Sequence, residues 1–177
     1  FAIDPNTGWV RVADASLLDF EQASQHQITV RATSNDGSTA DANFLIAVND
    51  LNDEQILVNN QPLNLNQGQL TTITNNHLLS LDQDHLSSQL VYTVVNAPLH
   101  GILLLNGAPS SQFTQADIDA GRVSYQHDGG LANIDRFTFT VDDGLGSVTT
   151  AQFDISVSAI TQPPVATDDS YTLAASS

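Results

Sequence analysis

The chain has 177 residues, and its 4 basic side chains, all Arg, stand against 20 acidic ones, for a formal net charge of −16. A charge of this sign makes nucleic acid and anionic membrane surfaces poor partners. There is no Cys, which excludes disulfides and thiolate metal sites, and zinc is discounted on that ground. Hydrophobic residues make up 41% of the chain and charged ones 14%, so we expect a folded chain rather than a disordered one.

The acidic excess favours bound cations, because clustered carboxylates repel one another in a folded domain. Calcium is the first cation to consider, since it takes about six to eight oxygen ligands from carboxylates, amides and carbonyls. No stretch approaches the roughly 20 apolar residues of a membrane span, and residues 1–9 lack the layout of a signal peptide. We therefore expect no membrane insertion in this sequence and a start inside a longer protein.

Short segments of alternating, β-branched or aromatic character recur between clusters of Asn, Asp, Gly and Ser, which predicts strands joined by turns. In chain order, the clearest predicted strands are 9–12, 27–33, 42–48, 90–95, 101–105, 122–126, 136–141 and 151–157. A helical turn is predicted at 114–120, with Thr114 as N-cap and Asp117 at the N3 position. The chain is therefore predicted to be almost entirely β.

An internal repeat gives the domain period. The segment ANFLIAV at 42–48 matches AQFDISV at 151–157, and each follows a Gly-Ser pair at the same spacing. The offset from 42 to 151 is 109 residues. A repeat of this length favours tandem antiparallel Greek-key β-sandwiches of about 100 residues each, of the immunoglobulin-like class.

The repeat also sets the predicted boundaries. Residues 1–53 form the C-terminal half of a first sandwich, 54–160 a complete second one, and 161–177 a linker and the first strand of a next one. Half a sandwich leaves a sheet face bare. We therefore expect strands from upstream sequence or from a second chain to cover the first unit.

Acidic residues cluster at the predicted ends of the sandwiches. The clusters are Asp19-Phe20-Glu21, Asp50-Leu51-Asn52-Asp53-Glu54, Asp82-Gln83-Asp84 and Asp142-Asp143. Alternate side chains of an extended segment point to the same side, so Asp82 and Asp84 are predicted to share a cation. Asp is also common in turns, where it bonds to local backbone, and this interpretation is favoured for Asp128 and Asp142.

Several motifs match known repeats in their order and spacing. Residues 1–8 (FAIDPNTG) resemble the mid-domain strand and turn of cadherin repeats, 18–21 (LDFE) their LDxE loop, and 48–54 their DxNDN linker. The second repeat resembles the cadherin-like repeat of chondroitin sulfate proteoglycans. The matching segments are 81–84, 90–94, 98–101, 113–118, 121–129 and 135–139.

The resemblance implies calcium ions clamped between consecutive repeats. The implied ligands are Asp19, Glu21, Asp50, Asn52, Asp53, Asp82, Asp84 and Asp143. The linker departs from the family pattern at Glu54, where the family prefers Asn. Residues 158–161 lack the acidic linker altogether, so calcium is expected at the first junction and not necessarily at the second.

Enzyme chemistry has little support in the sequence, and we expect no enzyme. There is no Lys, no GxSxG elbow and no glycine-rich phosphate loop. The side chains of His77, His85, His100 and His127 are scattered, without an HExxH pattern, and His127 is expected to pack at a strand end.

These features predict a calcium-binding, rigidifying extender or adhesion module of a large extracellular or cell-surface protein, of the kind found in bacterial surface adhesins. Its expected partners are neighbouring repeats of the same chain, with a homophilic, cell-surface or glycan ligand left open. The alternative is a carbohydrate-binding sandwich module of a secreted polysaccharide-active protein. The chain has only 1 Trp and 3 Tyr, whereas sugar clefts usually present several aromatic platforms.

Overall fold

The computed structural model describes residues 1–146 and 148–160, so the strand predicted in 161–177 lies outside the described residues. The described chain forms 15 strands, one short α-helix and one 3-10 turn. The strands belong to two units that follow one another along the chain. The all-β fold class predicted from the sequence is confirmed.

The first unit consists of two antiparallel hairpins. Strand β1 (Ala2–Ile3) pairs with β2 (Val10–Arg11), and β3 (Gln25–Thr33) pairs with β4 (Thr39–Ala47). The predicted strand at 9–12 is shorter than expected, since only Val10–Arg11 form β2, and Trp9 just before it is 79% exposed. A 3-10 turn at Ala15–Leu17 leads into the acidic loop that contains Glu21.

The apolar face of the first unit is uncovered within the described chain. Its side chains line a groove of about 400 Å³ between the two hairpins, and no residue of 1–54 is fully buried. The matching positions of the sequence repeat show the consequence: Phe44 is 52% exposed, whereas Phe153 is 0% exposed. Phe153 is buried because a second sheet covers it.

The second unit is a complete sandwich. Its strands are β5 (Ile56–Asn60), β6 (Leu63–Asn66), β7 (Leu70–Thr72), β8 (Leu78–Leu81), β9 (Val91–Asn96), β10 (Gly101–Leu105), β11 (Ala108–Pro109), β12 (Gln112–Thr114), β13 (Val123–His127), β14 (Ile134–Asp142) and β15 (Thr149–Ser158), and helix α1 (Gln115–Asp119) follows β12. One sheet has the order β11-β10-β13-β7 and the other β12-β9-β14-β15-β6, while β5 pairs with β8. All pairs are antiparallel except β6 with β15, which lie side by side in the same direction.

The core lies between the two sheets and is rich in aromatic rings. Buried and exposed residues alternate along β14 and β15, so every second side chain points into the core. The ring centroids of Phe137 and Phe153 are 5.0 Å apart, and those of Tyr92 and Phe113 are 5.2 Å apart. This packing fixes the strands whose ends carry the acidic loops.

The predicted helix start is confirmed by its capping box. The Thr114 hydroxyl accepts a hydrogen bond from the Asp117 backbone N–H at 3.2 Å, and the Asp117 carboxylate accepts one from the Thr114 backbone N–H at 2.8 Å. The next residue, Gln115, is buried. Its side-chain oxygen accepts hydrogen bonds from the Ser80 backbone N–H and the Tyr92 hydroxyl, which ties α1 to β8 and β9.

A buried carboxylate holds the turn before β10. Asp135 is 6% exposed, and its oxygens accept hydrogen bonds from the backbone N–H groups of Leu99, His100 and Arg136 and from the Tyr125 hydroxyl. Burial raises the pKa of Asp135, but these four hydrogen bonds outweigh it and hold the pKa below its ordinary value. The ionised form of Asp135 is therefore the one that stabilises the fold.

Replacing Asp135 with Asn should lower the free energy of unfolding at pH 7 by about 1.5–3 kcal/mol, the scale of hydrogen bonds to a charged group. The pKa of Asp135 in the folded protein lies below its unfolded value of about 3.9. The stability difference between wild type and variant is therefore complete above about pH 3.9 and is lost as the pH falls through the folded pKa. Urea denaturation across pH 2–7 measures it. Asp154→Asn, at an exposed position of β15, is the control and should change stability by less than about 0.5 kcal/mol. Equal effects of the two substitutions would contradict this role of Asp135.

Candidate metal centre

Four acidic segments meet where the two units join. They are the loop around Glu21 in the first unit, the linker at 50–54, the turn after β8 and the loop after β14. Their potential ligand atoms fall into two groups, each with all its atoms within 4.8 Å of one another. We define the outer group as Glu21, Asp50 and Asp84, and the inner group as Asp82, His85 and Asp143.

The outer group contains one carboxylate from each part of the junction. Glu21 comes from the first unit, Asp50 from the linker and Asp84 from the second unit, so these three carboxylates span both units. Glu21 and Asp50 are exposed and Asp84 is half-buried. Each Arg–Asp ion pair in the described residues lies elsewhere, at Arg31–Asp41 and Arg122–Asp117. The outer group therefore concentrates negative charge without a basic partner of its own.

The titration of Glu21 reflects this crowding. A hydrogen bond from its own backbone lowers the pKa of Glu21, but loss of hydration beside neighbouring groups and the carboxylates of Asp84, Asp19 and Asp50 together raise it above the ordinary value. The effect of Asp84 and Asp50 is electrostatic repulsion, which disfavours the ionised form. A bound cation would reverse the sign of the electrostatic field at Glu21 and so favour its ionised form.

The inner group is enclosed by the end of the second sandwich. The side chains of Asp82 and Asp143 are 0% exposed and that of His85 is 7% exposed. One oxygen of Asp82 accepts hydrogen bonds at 2.8 Å from the backbone N–H groups of Asp84 and His85, and it lies 3.1 Å from His85 Nδ1. His85 Nδ1 lies 4.0 Å from Asp143 Oδ2. Two carboxylates and an imidazole thus share one small enclosure.

Asp143 is held in its ionised form. A hydrogen bond from the Leu145 backbone N–H, at 2.7 Å, lowers the pKa of Asp143 and outweighs the effect of burial. The side-chain amide of Asn52, 3.2 Å away, and the charge of His85 lower the pKa further. A buried, ionised carboxylate of this kind is costly unless a positive charge accompanies it.

Two oxygens at this junction have no hydrogen-bond partner among the described residues, although both are buried. They are Asp82 Oδ2 and Asn52 Oδ1. The amide nitrogen of Asn52 is already engaged by Asp143 and by the Asp53 carbonyl oxygen, at 3.2 and 3.0 Å, which leaves its oxygen free. Buried polar atoms are normally paired, so two free acceptors beside buried carboxylates fit the oxygen-rich ligand set of calcium.

The linker and the residue that follows it, Gln55, are attached to the second unit at three points. Asn52 donates to Asp143, the Asp53 backbone N–H donates to Asp84 Oδ2 at 2.5 Å, and the Gln55 side chain donates to the Val141 carbonyl oxygen at 2.9 Å. On the other side, the Val48 backbone N–H donates to the Ser24 carbonyl oxygen at 2.9 Å, within the first unit. The linker residues that remain between these attachments include Asp50.

The structure brings seven of the eight predicted ligands directly to this junction. These are Glu21, Asp50, Asn52, Asp53, Asp82, Asp84 and Asp143. The eighth, Asp19, lies beside Glu21 but accepts hydrogen bonds from the backbone and the side chain of Gln22, at 3.0 and 2.8 Å. His85 was not among the predicted ligands. Its position directly after Asp84 is the sequence signal that could have found it.

The extended conformation predicted for 82–84 is wrong. The Asp84 backbone N–H bonds to the Asp82 carboxylate, so the chain turns here and separates the two side chains. Asp82 falls in the inner group and Asp84 in the outer group.

Three predictions about residues outside the two groups are confirmed. Asp128 and Asp142 accept hydrogen bonds from the backbone N–H groups of Gly130 and Gly144, as turn residues do. His127 is buried at the end of β13.

In calcium-free solution, the pKa of Glu21 should fall towards its ordinary value in the Asp84→Asn variant, because a repelling charge is removed. Carboxyl ¹³C chemical shifts followed across pH 2–8 measure this pKa. Asp128→Asn, away from the junction, is the matched control and should leave Glu21 unchanged. A Glu21 pKa that is the same in all three proteins would show that the outer group does not form in solution.

Comparisons with known proteins find relatives of this chain. A protein-family model described as cadherin-like matches residues 55–157. The chain is 36% identical over 129 residues to the human extracellular matrix organizing protein FRAS1, covering 70% of this chain and 3% of that protein. It is 35% identical over 109 residues to human chondroitin sulfate proteoglycan 4, covering 57% of this chain and 4% of that protein. The chain thus spans only a small part of the length of these relatives.

Solved structures show the same fold. The crystal structure of human protocadherin-24 EC1-2 aligns with a TM-score of 0.57 and 18% identity, covering 92% of this chain and 77% of that one. The structure of protocadherin gamma B2 extracellular cadherin domains 1–5 aligns with a TM-score of 0.52 and 14% identity, covering 83% of this chain and 28% of that one.

The extracellular location predicted from the sequence agrees with the name of the FRAS1 relative. In the described residues, no helix has the length and apolar character needed to cross a membrane.

Proposed function

The chain belongs to the cadherin-like family, and we propose that it is a calcium-binding, rigidifying module of an extracellular protein, with calcium bound where its two units join. The observation that carries this proposal is the burial of the Asp82 and Asp143 carboxylates, since Asp82 Oδ2 and the nearby Asn52 Oδ1 are buried without a hydrogen-bond partner among the described residues. Only 4 basic side chains are available to balance 20 acidic ones. A divalent cation is the charge that such a site lacks.

The two groups offer two neighbouring positions for calcium. Glu21, Asp50 and Asp84 would hold an ion in the outer group, with Asp19 and Asp53 beside them. Asp82, Asp143 and the Asn52 side-chain oxygen would hold one in the inner group. When bound, calcium supplies positive charge and flexible coordination to several oxygens at once.

The residues of the chain would turn this binding into stiffness. Asn52, Asp53 and Gln55 already attach the linker to the second unit through hydrogen bonds. The remaining freedom lies between the first unit and this attached segment. An ion bound by both Glu21, in the first unit, and Asp84, in the second, would fix the two units relative to each other. The linker could then no longer act as a hinge. Without the ion, the same carboxylates repel each other.

A stiff pair of units suits extension or adhesion outside the cell rather than catalysis. The relative named for organising the extracellular matrix supports this class of function, and we include the absence of enzyme activity in the proposal. A setting in a bacterial surface adhesin stays a prediction, as do the partners. The carbohydrate-binding alternative also stays a prediction, although Trp9, at 79% exposed, presents one aromatic surface in the first unit.

Calcium should raise the melting temperature of the chain. At about 100 times the dissociation constant, binding contributes about 2.7 kcal/mol per site. For a chain of this size, each kcal/mol corresponds to roughly 2–4 °C. Thermal denaturation with saturating calcium and with chelator measures the difference, and magnesium at the same concentration controls for ionic strength. An unchanged melting temperature in calcium would count against the proposal.

Asp84→Ala should weaken calcium binding by about tenfold or more, because Asp84 belongs to the outer group and also holds the linker. Asp128→Ala is the matched control, since Asp128 holds the turn after β13 and the 9 residues of β14 run between that turn and Asp143. Isothermal titration calorimetry measures the affinity in both variants. If the two substitutions weaken binding equally, the ligand assignment is incorrect.

A further inference from the structure

The inner group differs in its chemistry from the outer group. The outer group consists of carboxylates alone, whereas the inner group includes the imidazole of His85. Calcium prefers oxygen ligands, while zinc and neighbouring transition-metal dications bind imidazole nitrogen strongly. An imidazole enclosed with two carboxylates therefore changes which cation the position favours.

We infer that the inner group is a mixed nitrogen–oxygen site that takes a zinc-type transition-metal dication in competition with calcium. This inference rests on the proposed function, because it assigns a second cation class to one of the two calcium positions. The ligands are His85 Nδ1 and one carboxylate oxygen each from Asp82 and Asp143. The outer group remains a calcium site.

The burial of the ligands supports a dry, preformed position. The Asp82 and Asp143 side chains have no exposed surface, and His85 is 7% exposed. Asp82 Oδ2 and Asn52 Oδ1 are buried acceptors without a partner in the described chain. One imidazole and two carboxylates give three protein donors, a set with which zinc keeps its fourth position for water.

The distances are compatible with a small ion. His85 Nδ1 lies 3.1 Å from Asp82 Oδ1 and 4.0 Å from Asp143 Oδ2. Zinc binds these donor types at about 2.0–2.2 Å, so two of its ligand atoms lie roughly 3–3.5 Å apart. The 3.1 Å contact between His85 Nδ1 and Asp82 Oδ1 meets this spacing, whereas the 4.0 Å separation from Asp143 exceeds it, so zinc binding requires these side chains to move closer together.

Composition alone points away from zinc, because the chain has no Cys. Thiolates are only one of the ligand types that zinc uses, however, and sites with His and carboxylates are common. Sequence spacing hides this ligand set because Asp143 lies 58 positions after His85. Only the folded sandwich, in which the β8 and β14 ends meet, brings them together.

The test is zinc titration of the whole chain, monitored by calorimetry and by the ¹⁵N chemical shift of the His85 ring. We expect one zinc ion to bind in the presence of calcium and to shift the His85 Nδ1 resonance, whereas calcium alone leaves nitrogen unligated. In His85→Asn, zinc affinity should fall about tenfold or more while calcium binding at the outer group remains. Asn keeps an N–H group that can donate to Asp82, so this variant separates the hydrogen bond from metal ligation.

His77→Asn is the matched control, since His77 lies at the other end of β8 from the junction. It should leave zinc affinity unchanged. Zinc that binds wild type and His85→Asn equally, or does not bind wild type at all, overturns the inference while calcium binding still supports the proposed function. If wild type binds neither cation, both proposals fail.

Discussion

The enclosure of negative charge at one end of a sandwich governs this structure. Asp82 and Asp143 are fully buried as side chains, and hydrogen bonds from Leu145 and Asn52 favour the ionised form of Asp143. Burying unbalanced carboxylates costs several kcal/mol, which a domain of marginal stability tolerates poorly. The proposed function depends on how that charge is balanced.

The sandwich places this charge with little freedom. Strand β14 pairs with both β9 and β15, and its alternating side chains are locked in an aromatic core, so the position of Asp143 just after it is fixed. The turn after β8 is held by hydrogen bonds from the backbone N–H groups of Asp84 and His85 to the Asp82 carboxylate. A rigid scaffold thus presents the inner group, while the first unit contributes a loop carboxylate, Glu21. Preorganised ligands on rigid elements lose less entropy when an ion binds.

Much of the fold could be predicted from the sequence, because the strands at 136–141 and 151–157 alternate strongly between apolar and polar residues. The strands between Ile56 and Leu81 were missed, since residues such as Asn59, Asn60 and Asn64 obscure their alternation. The position of seven predicted ligand residues at the junction could be predicted from local motifs in the acidic loop, the linker and the segments after two strands, while their binding of calcium stays a prediction. The split of Asp82 and Asp84 into two groups and the participation of His85 depend on a turn and on a contact distant in sequence, which no local pattern encodes.

A crystal structure of the chain grown with calcium tests the central claim most directly. The account predicts anomalous density at the junction, with calcium about 2.3–2.6 Å from Asp82 Oδ2 and from Asn52 Oδ1, the two buried oxygens that otherwise have no partner in the described chain. Density for ordered water at those oxygens, with Glu21 and Asp84 turned away from each other at saturating calcium, would contradict it.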